Sequence, residues 1–375
     1  MIVWTAICYR YICLCYTHYV TLRSISLHNI RSYELYSAEL HPEITLVLGN
    51  NGTGKTTLLE AIYVLHQGTS FRGRDRDMIA HGSQRAELKL EFNDQPDRRA
   101  ALSTTPDGRL TKQFIQDTSS NSRLPAKHRL PVVLFEPDEL RLLTSSPQRR
   151  RDFIDGIIAR LSPTYSTVLS RFGRTLLQRN ELLKQFEIMK RDAWESHLFA
   201  WDVKLAELGA SIIKARRNFL AHANDHLSRI YSQLTESENT VLSKYISEIQ
   251  GEADVLQQTI LSRLESSRQS DGLRGFTSIG PHRDDLELLL NNHPASEIAS
   301  RGEMRTIMLA FKLLEVELQE HHTGKKPLIL LDDVFSELDT HREQRLMKAL
   351  TNYQTIITAT DLRDELKINA SIISL

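Results

Sequence analysis

Beyond residue 20 the apolar positions change rhythm along the chain. Ile25 and Leu27 alternate with polar neighbours, as on a half-buried strand. Residues 44–48 (Ile-Thr-Leu-Val-Leu) form a short, β-branched run of the kind buried on both faces of a sheet. That run leads into a glycine-rich turn and a predicted helix from Lys55 to about His66. Ala86, Leu88, Leu90 and Phe92 alternate with Glu87, Lys89 and Glu91, which predicts a strand with one wet face, typical of antiparallel sheet. Residues 94–130 carry Pro96, Pro106, Gly108 and Pro125 and read as hairpins and loops. Val132 to Phe135 is a further buried strand.

From about Asp138 to Arg268 the period lengthens. Tyr165, Val168, Leu169, Phe172, Leu176, Leu183 and Phe186 follow helical spacing, and so do Trp194, Leu198, Trp201, Leu205, Leu208, Ile212 and Ile213. The heptads are too irregular for a long coiled coil, so a compact helical arm is expected. Strand signals return at Leu286 to Leu290, Leu328 to Leu331 and Thr355 to Thr358, with a helix from about Gly302 to Glu320. The expected architecture is one α/β domain built from residues 20–137 and 271–375, interrupted by an α-helical arm over 138–270.

Residues 1–19 match none of these patterns. Arg10 and His18 interrupt the apolar run and no small-residue cleavage site follows, which argues against a signal peptide. The stretch is also too short and broken to span a bilayer. A mis-set start or a disordered extension is expected, with Val20 as the first residue of the body.

Charge and cysteine content narrow the partners. Lys+Arg and Asp+Glu are both 47, so any nucleic-acid contact must come from a local basic patch rather than bulk charge. The three cysteines, Cys8, Cys13 and Cys15, all lie in the first fifteen residues, which excludes a disulfide framework in the body and suits a cytosolic protein.

Four segments carry candidate chemistry. Gly49-Asn50-Asn51-Gly52-Thr53-Gly54-Lys55-Thr56 fits G-x-x-x-x-G-K-[ST], the Walker A loop, between a buried strand and a helix as the motif requires. Its backbone N–H groups and the helix N-terminus would face nucleotide phosphates, Lys55 would neutralise their charge, and Thr56 would ligate Mg2+. The apolar run 328–331 ending in Asp332 and Asp333 reads as Walker B, with Asp332 on Mg2+ through water and Asp333 orienting the attacking water. Ser300-Arg301-Gly302-Glu303 opens a helix; taken alone it is an ordinary capping box, and placed just before Walker B it has the form of an ABC signature. Ser336-Glu337-Leu338-Asp339 is a candidate D-loop, and Thr360 and Asp361 stand where a switch residue is expected. The base stays open among Asp333, Glu136 and Asp361.

Walker A at one end, with signature, Walker B and D-loop at the other, resembles an SMC-type head of the ABC ATPases. Two segments resemble the RecF family in particular: Phe135 to Leu140 followed by Ser145 to Phe153, and Gly280-Pro281-His282-Arg283-Asp284-Asp285. The opening Leu27-His28-Asn29-Ile30-Arg31-Ser32-Tyr33 is similar as well. Read alone, Pro281-His282-Arg283 is a charged turn and Arg149-Arg150-Arg151 a wet helix face.

The resemblance implies a nucleotide held by Gly49 to Thr56 and capped by Ser300, Gly302 and Asp339 of a second copy, in an ATP-dependent homodimer. It implies ATP and Mg2+ as cofactors and slow, DNA-stimulated hydrolysis. Its DNA would be duplex and single-strand/double-strand junctions. RecO and RecR would be partners, aiding RecA loading, in the cytoplasm at the nucleoid. Arg72, Arg74, Arg149, Arg150 and Arg151 are the candidate DNA contacts, with Arg76, Arg171 and Arg174 as further candidates for phosphate contact. The alternatives are the ATPase subunit of a membrane transporter, disfavoured by the long helical insertion, and a defence ATPase of the same class.

Overall fold

The structure, a computed structural model, describes residues 20–116, 119–140, 142, 145–361 and 370–375. The expectation for residues 1–19 lies outside the described residues.

A five-stranded parallel sheet forms the centre. Its strands are β3 (Ile44–Leu48), β8 (Val132–Phe135), β12 (Leu328–Asp332), β13 (Thr355–Ala359) and β14 (Ala370–Ser374), in the order β14-β3-β13-β12-β8. Alternate residues feed two different cores. Val47, Val132, Leu134, Leu328, Leu330 and Ile356 face one; Leu46, Val133, Phe135, Ile329, Leu331 and Ile357 face the other. Both faces are covered, which is why these strands read as continuous apolar runs.

The first core is closed by α1 (Lys55–Gln67) and by a six-stranded antiparallel sheet. That sheet contains β1 (Leu22–Ile30), β2 (Tyr33–Glu39), β4 (Arg85–Phe92), β5 (Arg98–Thr104), β6 (Leu110–Gln116) and β7 (Ser119–Asn121), in the order β2-β1-β4-β5-β6-β7. Along β4, Ala86, Leu88, Leu90 and Phe92 are buried while Arg85 and Glu87 are exposed, the alternation expected of a sheet with one wet face. In α1, Leu58, Leu59, Ala61, Ile62, Val64 and Leu65 have no exposed surface, because the helix is enclosed between the two sheets.

Helices pack on the second core. They are α2 (Pro137–Leu140), α3 (Pro147–Leu161), α4 (Pro163–Leu183), α5 (Arg191–Thr235), α6 (Leu256–Arg274), α7 (Ala295–Ile298), α8 (Arg301–Thr323) and α9 (Thr340–Leu350). The 45-residue α5 is one continuous helix packed against α4, α6 and α8, so its apolar stripe is buried within the chain.

The segment expected to be wholly helical contains a strand, β9 (Val241–Ile246). It pairs antiparallel with β10 (Asp285–Leu290), which also pairs with β11 (His293–Pro294). The contact from Val241↔Leu290 to Asp285↔Ile246 joins residues on either side of position 270 in one small sheet. Although four of the six β9 residues are apolar or aromatic, its partners lie 39 to 49 positions away, from Ile246↔Asp285 to Val241↔Leu290, so local periodicity carries little of this pairing.

Candidate nucleotide site

The loop between β3 and α1 is shaped by its glycines. Gly52 and Gly54 take φ of 88° and 106°, in the left-handed region that favours glycine. A Cβ on Gly54 would also fall 2.7 Å from the Tyr33 hydroxyl. The Lys55 ammonium turns back over the loop and donates to the carbonyls of Gly49 (2.5 Å) and Asn50 (3.0 Å). The Thr53 hydroxyl braces the same turn by donating to the Asn50 carbonyl at 3.0 Å.

The two ends of the sequence meet here because β13 lies between β3 and β12 in the parallel sheet. Thr56 donates its hydroxyl to Asp332 Oδ1 at 3.0 Å, and the buried Thr358 donates to the same oxygen at 2.8 Å. The backbone N–H of Asp333 reaches the Thr358 carbonyl and hydroxyl, at 3.1 and 3.0 Å. Asp333 sits at φ 50°, which turns the chain sharply out of β12. Burial raises its carboxyl above the usual range, with Lys55 opposing and Asp332 and Glu337 adding to the rise.

A cavity of about 290 Å3 opens over this loop, lined on one side by Lys55, Thr56, Asp332 and Asp333 and on another by Arg31, Ser32 and Arg72. Arg31 is locked by a two-point ion pair with the buried Glu60, at 2.7 and 2.8 Å. Lys55, Arg31 and Arg72 thus line one cavity together with the loop glycines, an arrangement that suits phosphate groups. The hydroxyl of Thr56 beside the Asp332 carboxylate is a hard-oxygen pair, which suits Mg2+ held by few protein ligands together with phosphates and water. When bound there, Mg2+ would neutralise phosphate charge. Among the described residues no cluster of three or more His, Cys, Asp or Glu is placed to hold a metal by itself.

Glu136 directly follows β8, beside β12, since Phe135 pairs with Leu331. Burial pushes its carboxyl up to about 7, with Glu139, Asp332 and Asp138 adding to the rise and Lys312 opposing it. Thr360 and Asp361 lie exposed just beyond β13, and it is Thr358 that touches Asp332.

Ser300, Gly302 and Asp339 are not among the residues lining this cavity. Ser300 caps α8: its hydroxyl accepts from the Glu303 N–H at 3.2 Å and its own N–H donates to Glu303 Oε2 at 2.8 Å. The capping box is therefore real, and it holds the helix N-terminus in a fixed geometry. Asp339 caps α9, accepting the Arg342 N–H at 2.9 Å.

The candidate DNA contacts separate. Arg72, Arg74 and Arg149 are exposed, and Arg72 lines the nucleotide cavity. Two of the expected residues are engaged within the chain. Arg150 is engaged with Asp285 through Nε (2.8 Å) and Nη2 (2.6 Å), and Arg151 is buried with Nη1 donating to the Asp284 carbonyl at 2.6 Å. Their helix packs against β10, so these side chains turn inward. The two segments singled out in the sequence thus hold each other in place. His282 in the second is half-buried, its pKa held down to about 4 chiefly by desolvation, with its Nε2 against the Thr277 carbonyl at 3.1 Å. Arg31, Arg72 as a cavity residue, and Thr358 were not legible as site residues, because no local motif marks them.

The sheet layers, with the glycine loop before α1 meeting the end of β12, are those of an ABC-type ATPase head of the SMC class. The sequence matches the RecF/RecN/SMC N terminal domain family over residues 21–371, and the chain belongs to that family, in its RecF branch. It is 34% identical over 346 residues to the DNA replication and repair protein RecF of Gloeobacter violaceus (strain ATCC 29082 / PCC 7421), covering 91% of this chain and 92% of that one. The protein of the same name from Clostridium perfringens (strain SM101 / Type A) is 33% identical, covering 92% and 94%. A solved structure of the recombination mediator protein RecF with ATP, in the RecFOR pathway, superposes with a TM-score of 0.81 at 29% identity, over 93% of this chain and 94% of that one. An Smc head bound to the C-winged helix domain of ScpA shares the fold, at TM-score 0.52 and 18% identity, over 94% of each chain. Membership of the RecF branch sets aside the transporter and defence-ATPase alternatives. No described helix is long and apolar enough to cross a membrane.

Proposed function

We propose that this chain is an ATP-driven DNA clamp of recombinational repair and replication. The single observation that carries this reading is the division of the site. Lys55, Thr56, Asp332 and Asp333 line one cavity, while the capped Ser300, Gly302 and Asp339 line none of it. A nucleotide in the cavity is completed when the α8 N-terminus of a second copy closes over its γ-phosphate. ATP then joins two heads, and its hydrolysis lets them part, so monomer and dimer exchange with the nucleotide state.

Lys55 and the loop N–H groups bind the phosphates, and Thr56 and Asp332 would hold Mg2+. Asp333, its carboxyl raised by burial, orients the attacking water. Hydrolysis is slow because a lone head lacks half of the site. In this reading residues 20–137 and 271–375 are the head and 138–270 the arm, which the β9–β10 pairing ties to the head's second half. The closed dimer grips duplex DNA, including single-strand/double-strand junctions, through phosphate contacts that carry no sequence information. In this reading the chain works with RecO and RecR in RecA loading, in the cytoplasm at the nucleoid; what supports it is that relatives are named DNA replication and repair protein RecF, and a solved one a recombination mediator in the RecFOR pathway.

Sedimentation with a non-hydrolysable ATP analogue and Mg2+ tests this. The mass should double with nucleotide and stay single for Lys55→Ala. A parent protein that remains a single subunit with saturating analogue, with or without duplex DNA, would overturn the proposal.

A further inference from the structure

We infer that Arg342 is a positioning residue of the composite site. Its guanidinium fixes the N-terminus of α8 against the loop carrying Asp339, so that both meet the nucleotide of a second copy as one unit. This rests on the two-copy reading above.

The geometry is a closed set of contacts. Arg342 lies in the first turn of α9, and its Nη1 pairs with the Asp339 carboxylate. Its Nε donates to the Thr306 hydroxyl at 2.7 Å. Thr306 is fully buried and donates in turn to the Gly302 carbonyl at 2.9 Å. The guanidinium also lies against Gly302 itself: a Cβ there would fall 3.1, 3.2 and 3.3 Å from Nη2, Nη1 and Cζ. Gly302 is not among the positive-φ glycines, so its backbone conformation does not require glycine. A side chain there would instead crowd the Arg342 guanidinium and push it a few tenths of an ångström out of place.

A second tie runs the opposite way. Arg305 of α8 donates from Nη1 to the Glu337 carbonyl at 2.8 Å and pairs with the Glu337 carboxylate. Two arginines therefore lace the signature helix to the D-loop from both sides. An isolated ion pair one helical turn long adds little stability, so the arrangement is better explained by placement than by folding energy. Placement also accounts for arginine. Its planar fork reaches Thr306 and Asp339 at once, which a single lysine nitrogen does not.

The test uses the full chain. Arg342→Ala is expected to bind ATP as a monomer within about twofold of the parent, and to lose turnover about tenfold or more through kcat. Arg342→Lys, which keeps the charge, is expected to fail in the same way; full activity in the lysine variant would overturn the inference.

Mixing separates this inference from the reading beneath it. Lys55→Ala and Arg342→Ala, each inactive alone, form mixed dimers with one complete site, Lys55 from one copy facing Arg342 from the other. An equimolar mixture should recover a clear share of parental turnover, at most roughly half, because each mixed dimer has one complete site of two. Lys55→Ala with Ser300→Arg is the control. Recovery in the control without recovery in the Arg342 mixture sinks the role of Arg342. No recovery in either sinks the two-copy reading itself. Should Arg342→Ala not fold, Arg342→Lys takes its place in the same mixture.

Discussion

Thr56 and Asp332 lie 276 positions apart in sequence and are joined by a hydrogen bond of 3.0 Å. The bond is possible because β3 and β12 flank β13 in the parallel sheet, so that both strand ends open on one edge. Ligands of open α/β sheets bind at such carboxyl edges.

Thr358 supports this pair from the strand between. Thr358→Val removes the hydroxyl that donates to Asp332 and accepts from the Asp333 N–H. Groups that orient a metal-binding carboxylate typically affect metal affinity or activity by about 10- to 100-fold. The expected outcome is a loss of turnover in that range with raised Mg2+ requirement, read from Mg2+ titrations of ATPase activity. A variant with the parental Mg2+ curve would show that Thr358 is only a packing residue.

Ser300→Arg separates the two halves of the site. The substitution removes a capping box, at a cost of about 1 kcal/mol in stability. It places bulk where a second head must close. Nucleotide affinity of the single subunit should be unchanged, by fluorescent-nucleotide titration, while ATP-dependent dimerisation disappears. A collapse of nucleotide affinity would mean that Ser300 serves its own cavity.

Glu136 makes stability depend on pH in a definite direction. Its carboxyl titrates near 7 in the folded chain, against an ordinary value of 4.5, so the folded state retains a proton that the unfolded state has lost. Its favourable contribution is complete below the unfolded value and fades as pH rises through about 7. Glu136→Gln should leave Tm nearly unchanged at low pH and raise stability on the order of 2 kcal/mol at alkaline pH. Parallel Tm–pH curves for variant and parent would refute this.

The arginines of α3 should behave in opposite ways. Arg149 is exposed, so Arg149→Ala should weaken duplex binding and lower the log–log salt slope by about 0.9. Arg151 is buried on the Asp284 carbonyl, and Arg151→Ala should instead lower stability by about 1.5–3 kcal/mol. DNA-binding isotherms at several salt concentrations, with thermal melts, distinguish the two. Equal effects on the salt slope would restore Arg151 as a phosphate contact.

Locally encoded features were legible in the sequence. The run at 328–331 and the alternation at 86–92 became β12 and β4, because burial on two faces or one leaves its own period in the chain. The P-loop was legible because Gly52 and Gly54 and the Lys55-Thr56 pair serve one short stretch of backbone. The Ser300 capping box is likewise complete within four residues, 300 to 303.

What tertiary structure decided is which distant groups share an environment. Arg149, Arg150 and Arg151 are alike in sequence, yet only the packing of α3 on β10 separates an exposed cation from two engaged ones. Nothing near Arg342 in the chain announces Gly302, and nothing near Thr358 announces Asp332. Strand and helix periods follow from local backbone geometry, which neighbouring residues can dictate. Ion pairs and shared carboxylates depend on distances through space, and those exist only once the layers have packed.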